Sequence, residues 1–331
     1  MRLTGIDFLR VLAVLLVVLS HYGFSYLGGY GVPLLITLSA FLITKILMSS
    51  DSKYTFKKHF LRRFLRIAPA YYSFLFISIF LDWILDDTWK LEEILFAVTH
   101  TFNYWNIKYG HTSTVSHVWT LSILEQFFIA SYFLIWPILK LKERFFWVTS
   151  SLIVLSAVAF RSIIYLSFNA TETYVYNDFF CRIDQYLIGV MLGYFYVKHS
   201  DKWVSFNLFY TVSLLLTSIL AITYSKSSVD FRYTLGFTLE AIASCLLLFT
   251  FTNISSKLKF LNGKVITSLA ASSYSAYLFH TWTNSVAKDM YIIGSEAQAV
   301  LASVLPFIVG MIVFLTIEKY FLNIRKIVLK N

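Results

Sequence analysis

In the stretch GIDFLRVLAVLLVVLSHYG, Arg10 and His21 are separated by ten residues that, apart from Ser20, are all Val, Leu or Ala. A central arginine in an apolar segment of membrane length costs roughly 2.5–3.5 kcal/mol on insertion scales, so ionisable groups there mark functional positions by default. On an α-helix, eleven steps of ~100° and ~1.5 Å return to within ~20° of the starting face, ~16 Å further along. The two side chains therefore share one stripe without touching, like the two ends of one slot. An imidazole in a low-dielectric setting can accept a proton from a hydroxyl, and a guanidinium can hold an anionic group. Two plainer assignments stay open from these residues alone: a packed histidine bonded to a carbonyl, and an arginine that snorkels to the headgroups or pairs with Asp7.

Further groups share this character. KKHFLRRFLRIAPAYY places Arg62, Arg63 and Arg66 at the start of a later apolar segment, with Arg66 one turn from each of the others. Such a fork could clasp phosphates, although juxtamembrane arginines also serve simply to orient a chain. In HVWTLSILEQFF, Glu125 stands inside an apolar segment near His117, Trp119, Ser122 and Gln126. It could orient an imidazole, as the acid of a triad does, or knit helices together. Arg182 and Asp184 open another segment, with Asp178 one turn before Arg182, which favours a local salt bridge. The stripe SSYSAYLFHTW, containing Tyr277 and His280, either bonds neighbouring helices or meets a hydroxyl-rich ligand. Asp82, Asp86, Asp87, Glu92 and Glu93 read as a solvated loop. No GxSxG, Walker loop, His-Glu-x-x-His or metal-ligand spacing occurs, so no metal is expected.

The elements that must hold these groups are membrane helices. With 58% hydrophobic residues, 19% aromatic and 14% charged in 331 residues, the chain has too little polar surface for a soluble globule. Apolar stretches of spanning length run at 6–26, 32–49, 64–84, 119–139, 145–165, 182–197, 203–224, 234–252, 265–283 and 296–318. The expectation is an all-α polytopic membrane protein of about ten transmembrane helices. Segment 92–106 is too short to span and contains His100 and Asn103, which suits a surface or re-entrant helix. With the N-terminus inside, nineteen Lys and Arg fall in cytoplasmic segments and seven at or near external ends, which sets both termini in the cytoplasm. The formal charge of +10 is thereby accounted for by orientation, and nucleic acid is not expected as a partner. Cys181 and Cys245 offer neither a zinc pattern nor a disulfide framework. Arg2 ahead of an apolar run imitates a secretion signal, but Asp7 and Arg10 interrupt it and no small-residue cleavage site follows, so the first helix is expected to be retained. No linker or fixed-period repeat divides the chain, and residues 1–331 read as one domain.

Taken in order, these segments resemble the acyltransferase 3 family of integral membrane O-acyltransferases over nearly the whole chain. The resemblance rests on Gly5, Asp7, Leu9, Arg10 and His21, and on GYGVPLLITLSAFLITKIL. It continues through Arg63 and Arg66 in FLRRFLRIAPAYY, the stretch 117–127, Arg182 to Gly189, the stretch 273–280 and the Ile-Glu-Lys close at 317–319. Leu124 departs from a usual glutamate pair, Ala40 from a usual glycine and Tyr320 from a usual proline. The resemblance implies acyl-CoA, normally cytoplasmic acetyl-CoA, as co-substrate, with no permanently bound cofactor. It implies an acceptor hydroxyl on an envelope or secreted glycan at the plasma membrane, and a bacterial source. On that reading Arg63 and Arg66, with Arg62, hold donor phosphates while Arg10 guides the thioester arm. His21 acts as general base or transient acyl carrier, Glu125 orients or charges it, and Trp119, Ser122, Arg182, Asp184, Tyr277 and His280 belong to the acceptor pocket. The SGNH-type domain of some members is not expected, and no oligomeric state is implied. A transporter or flippase of a lipid-linked glycan would also need buried polar groups, but it predicts internal repeats or broken helices. A sensor or scaffold would leave Arg10 and His21 without purpose.

Overall fold

A computed structural model describes residues 4–50, 54–84, 89–199, 208–254, 263–289 and 295–329, and every regular element among them is helical. Helix α1 (Thr4–His21) turns back into α2 (Gly28–Met48), and α3 (Phe56–Ile84) leads to two short helices, α4 (Leu91–Val98) and α5 (Phe102–Tyr109). Helix α6 (Trp119–Ala130) runs through a π turn at Ser131–Ile135 into α7 (Trp136–Leu139). Then come α8 (Glu143–Ser167), the short α9 (Glu172–Asn177), α10 (Ile183–Lys198) and α11 (Leu208–Tyr224). The single turn α12 (Val229–Phe231) and a π turn at Arg232–Gly236 open α13 (Phe237–Ile254). Helices α14 (Lys264–Asp289), α15 (Glu296–Ala302) and α16 (Leu305–Val313) follow, and a π turn at Phe314–Glu318 leads into α17 (Lys319–Val328).

A helix stands at each of the ten apolar stretches, although residues 203–207 of the seventh lie outside the described residues. Among the described residues six helical segments are long and apolar enough to cross a membrane: Gly29–Met48, Phe56–Ile84, Ser116–Leu139, Glu143–Ser167, Val229–Asn253 and Glu296–Val328. Also outside the description are Asp86 and Asp87 of the acidic run, and Arg2, Lys53, Lys202, Lys257, Lys259 and Lys330 among the basic residues that set the charge bias.

The segment expected as one surface or re-entrant helix at 92–106 is two helices, broken at His100, whose φ of 54° lies in the left-handed region. Helix α5 buries Phe102, Asn103, Trp105 and Asn106, so it belongs to the core. Its first turn is capped by Ser122, whose hydroxyl accepts from Phe102 N at 3.1 Å. The acids nearby are bound rather than simply solvated. Asp82 accepts from Trp89 Nε1 (2.7 Å) and Thr114 Oγ1 (3.1 Å), and Glu92 from Lys108 Nζ (2.7 Å) and Tyr109 OH (2.6 Å).

Helix α1, the carrier of Arg10 and His21, is enclosed by α2, α13 and α14. Its valines Val14, Val17 and Val18 are buried, and the backbones approach closely because glycine faces them. A Cβ on Gly31 would stand 2.5 Å from Ala13 O, and one on Gly189 of α10 would stand 2.5 Å from Thr37 O of α2, so only hydrogen fits at either contact. Tyr22, next to His21, donates to Thr283 Oγ1 at 2.9 Å and pins the end of α1 to α14.

Arg161, counted from the sequence among residues near an external end, is fully buried. Its guanidinium grips Asp184 with two parallel bonds of 2.8 and 3.0 Å and donates to the carbonyls of Cys181 (2.7 Å) and Thr234 (2.6 Å). Asp178 in turn caps the Cys181 N–H at 3.0 Å. The local Asp178–Arg182 salt bridge expected from spacing is therefore not what forms. A fully buried carboxylate needs a partner with several matched donors, and Arg161 of α8 reaches α10 and the start of α13 at once.

Candidate functional site

Where α17 lies against α3, a cavity of about 510 Å³ is lined by Arg10, Arg62, Arg63, Arg66, Arg325 and Lys326. No acid among the described residues lines it; the described acids of this region pair with or lie behind its lining cations. Arg63 Nε donates to Glu125 Oε1 at 2.7 Å, and Arg10 pairs with Asp7 at 3.5 Å. Glu318, buried at the end of its π turn and bonded by Ser275 Oγ at 2.5 Å, is the acid whose charge acts most on Arg66. Arg62, Arg325 and Lys326 have no ion pair among the described residues. Arg325 instead donates to the Arg62 carbonyl at 3.4 Å, which brings the cations of α17 and α3 to one mouth. His59 is locked in the wall, with Nδ1 against Tyr54 OH (3.1 Å), Nε2 donating to Phe128 O (3.0 Å) and its face on the Phe128 ring at 3.9 Å. The Arg63 guanidinium lies over the same ring at 5.0 Å, so its position is set by an aromatic face as well as a carboxylate. Leucines and isoleucines of α2 supply the apolar side.

Toward the other end of α1 lies a second cavity of about 500 Å³, lined by His21, His111, His117, Trp119, Tyr176 and Arg232, with hydroxyls from Ser20, Ser25, Ser113, Ser116 and Thr281. His21 is exposed to this space. Behind it stands His280, fully buried, with its ring centroid 4.8 Å from that of His21 and 4.8 Å from that of His117. Backbone carbonyls only accept, so they assign the tautomers. His280 donates from Nδ1 to Tyr277 O at 2.5 Å, leaving an unpartnered Nε2 lone pair. His117 donates from Nε2 to Leu278 O at 2.9 Å and accepts at Nδ1 from Thr281 Oγ1 at 3.3 Å. The three rings meet edge to face, and among the described residues no group of His, Cys, Asp or Glu is arranged to hold a metal ion.

Tyr277 lines both cavities. Its hydroxyl donates to His117 O at 2.8 Å, so the ring is held as the wall at which the cationic and imidazole-lined spaces meet.

Of the residues singled out from sequence, Arg10, Arg62, Arg63 and Arg66 come together in one cavity, and His21, Trp119 and Tyr277 in the other. Glu125 is placed with Arg63, whose guanidinium lines the cationic cavity. His280 lies directly behind His21, and Arg182 lies behind the aromatic wall, 4.3 Å from the Tyr176 ring centroid and 5.9 Å from that of Trp119. Ser122 and Asp184 are engaged elsewhere, by Phe102 N and Arg161. Sequence reasoning did not single out Arg325, Lys326, His59, His111 or Arg232 as site residues. The signals for them were faint: His59 one turn before Arg63, and His111 six residues before His117 in a loop rich in Ser and Thr.

The acyltransferase 3 family, described as an acyltransferase domain, matches residues 3–318. The peptidoglycan O-acetyltransferase OatA of Listeria monocytogenes is 28% identical over 310 residues, which cover 83% of this chain and 48% of that protein. The Bacillus subtilis protein YrhL, provisionally named a peptidoglycan O-acetyltransferase, is 26% identical over 316 residues, 83% of this chain and 48% of the relative. A provisionally named O-acetyltransferase of Staphylococcus aureus is 26% identical over 318 residues, 88% of this chain and 52% of the relative. The chain thus spans about half the length of the curated relatives it matches. No solved structure matches it.

Proposed function

Because the chain belongs to the acyltransferase 3 family, we propose that it is a membrane O-acyltransferase carrying an acyl group, acetyl in the first instance, from acyl-CoA to a hydroxyl of a bacterial envelope glycan. The observation that supports this reading is the pair of cavities that meet at Tyr277, one ringed by cations and the other by imidazoles. An acyl-CoA carries several phosphates and a long thioester arm, which fits a cationic mouth opening toward an apolar interior. The names borne by the relatives support a glycan acceptor. The basic bias of the sequence orients the cationic mouth toward the cytoplasm, with both termini on that side of the plasma membrane.

In this mechanism Arg62, Arg325 and Lys326 receive the donor phosphates, with Arg66 deeper and Arg63 set by Glu125. The thioester arm runs past Arg10 toward Tyr277, along the ~16 Å that separates the ends of the stripe. The acceptor enters the other cavity, where its rings can lie on Trp119 and Tyr176. His21 takes the proton of the acceptor hydroxyl as its oxygen attacks the thioester carbonyl; the C–S bond then breaks and the thiolate leaves with CoA, taking up a proton. His280 backs His21 and is itself held against His117, and both are positioning residues.

The test uses sealed vesicles of known orientation, labelled acetyl-CoA on the cationic side and identification of the labelled product. An ester-labelled glycan is expected, and His21→Ala with wild-type thermal unfolding should lose transfer by about 10²–10⁴-fold. Normal transfer by folded His21→Ala would overturn the assignment.

A further inference from the structure

The histidine-lined cavity has a cationic side that the acyl-transfer reading does not use. Arg232, at the start of the π turn before α13, lines it, and its Nε is buried without a hydrogen-bond partner among the described residues. Arg182 is fully buried nearby and, among the described residues, bonds only neutral acceptors, Tyr176 O at 3.0 Å and Gln185 Oε1 at 3.1 Å, while its Nη2 has no partner there. Both guanidiniums lie over Tyr176, at 4.3 Å for Arg182 and 5.8 Å for Arg232. Lys226 joins them, its ammonium 3.6 Å from the centroid of the Tyr30 ring.

The acids do not balance this group. Asp184 is taken by Arg161, and the buried Glu240 is the carboxylate whose charge acts on both Arg182 and Arg232, neither of them within ion-pair distance of it among the described residues. Two guanidiniums thus face one acid in a low-dielectric setting, where uncompensated charge is expensive. Gly29 leaves the space open: a Cβ there would stand 2.8 Å from Arg232 Nη2 and 2.9 Å from Lys226 Nζ.

We infer that the Arg232 side of this cavity is a subsite for an anionic group, a carboxylate or a phosphate, carried by the acceptor glycan. The inference rests on the reading of this cavity as the acceptor site, and it names the class of acceptor: an acidic glycan rather than a neutral one. Arg232 supplies the donor that lines the cavity, Arg182 and Lys226 the field behind it, and Gly29 the room.

The experiment is equilibrium binding, without donor, to the full chain in nanodiscs. The probes are a hexuronate oligosaccharide, its carboxyl-reduced neutral counterpart and a hexose 1-phosphate. At low salt at least one anionic probe should bind about tenfold or more tightly than the neutral one, the scale of one or two charge-assisted hydrogen bonds. Which anion wins assigns carboxylate or phosphate. The preference should collapse in Arg232→Gln, survive in large part in Arg232→Lys and weaken in Gly29→Ala, which crowds the cations without removing them. It should persist in Arg325→Gln, which alters the other cavity. Equal binding of acidic and neutral probes, no binding of either anion, or an acid preference that survives Arg232→Gln or disappears with Arg325→Gln would each overturn the proposal. Because no donor is present, loss of acyl transfer and loss of anion preference are read separately.

Discussion

Arg63 and Glu125 meet at 2.7 Å with side chains 16% and 15% exposed, so removing either one strands a charge in a poorly solvated wall. Glu125→Ala should destabilise the protein by about 3 kcal/mol, read by chemical or thermal unfolding in detergent. The double variant Arg63→Met/Glu125→Leu should recover most of that stability while donor affinity at low salt stays reduced. If Glu125→Ala keeps wild-type stability yet loses transfer, the carboxylate acts in the reaction itself and its placement as a support is wrong. The Arg161–Asp184 pair, at 0% exposure on both sides, makes the complementary case. Asp184→Asn should cost about 3–5 kcal/mol, with donor affinity unchanged in the folded fraction, because neither residue lines either of the two cavities described. A drop in donor affinity at preserved stability would argue for a role in the site.

The helices were legible because apolar composition over about twenty residues is a local property. Their interruptions were not. Among the described residues three π turns, at Ser131–Ile135, Arg232–Gly236 and Phe314–Glu318, each carry a residue in or beside the site. Ser131 lies 3.4 Å from His59 Nε2, Arg232 lines the histidine cavity and the charge of Glu318 acts on Arg66. One residue inserted into a helical turn shifts every later side chain around the axis without altering hydropathy, so no periodicity announces it. Contact between helices is equally silent. The Arg-x-Asp-x-x-x-x-Gly stretch from Arg182 to Gly189 reads as a motif, but its glycine serves close packing of α10 on α2. Gly189→Val should push α10 from Thr37 and lower stability by about 1–3 kcal/mol or more, measured by thermal unfolding. Unchanged stability would mean that α10 and α2 are not in the contact described.

For the whole molecule, the proposed orientation follows from charge bias and is open to direct measurement. Cys181 and Cys245 are both buried, so a single Lys326→Cys variant can be labelled against low background by a membrane-impermeant maleimide. Labelling should occur only from the cytoplasmic side, and labelling of intact cells would reverse the topology. Donor affinity should also fall as salt rises from about 0.01 to 0.1 M, as the screening length shrinks from ~30 to ~10 Å. A salt-independent affinity would remove the phosphates from the cationic mouth. By itself the sequence determined the membrane class, the positions of the helices and the singular status of Arg10 and His21. Hydropathy and the cost of a charge in an apolar segment are both written within about twenty consecutive residues. Only the tertiary structure decided which polar groups meet: Glu125 with Arg63 across 62 residues of chain, Asp184 with Arg161, the cations of α17 with those of α3, and His280 with both His21 and His117. Those pairings depend on distances between helices, and Coulomb energies and hydrogen bonds act through space rather than along the chain.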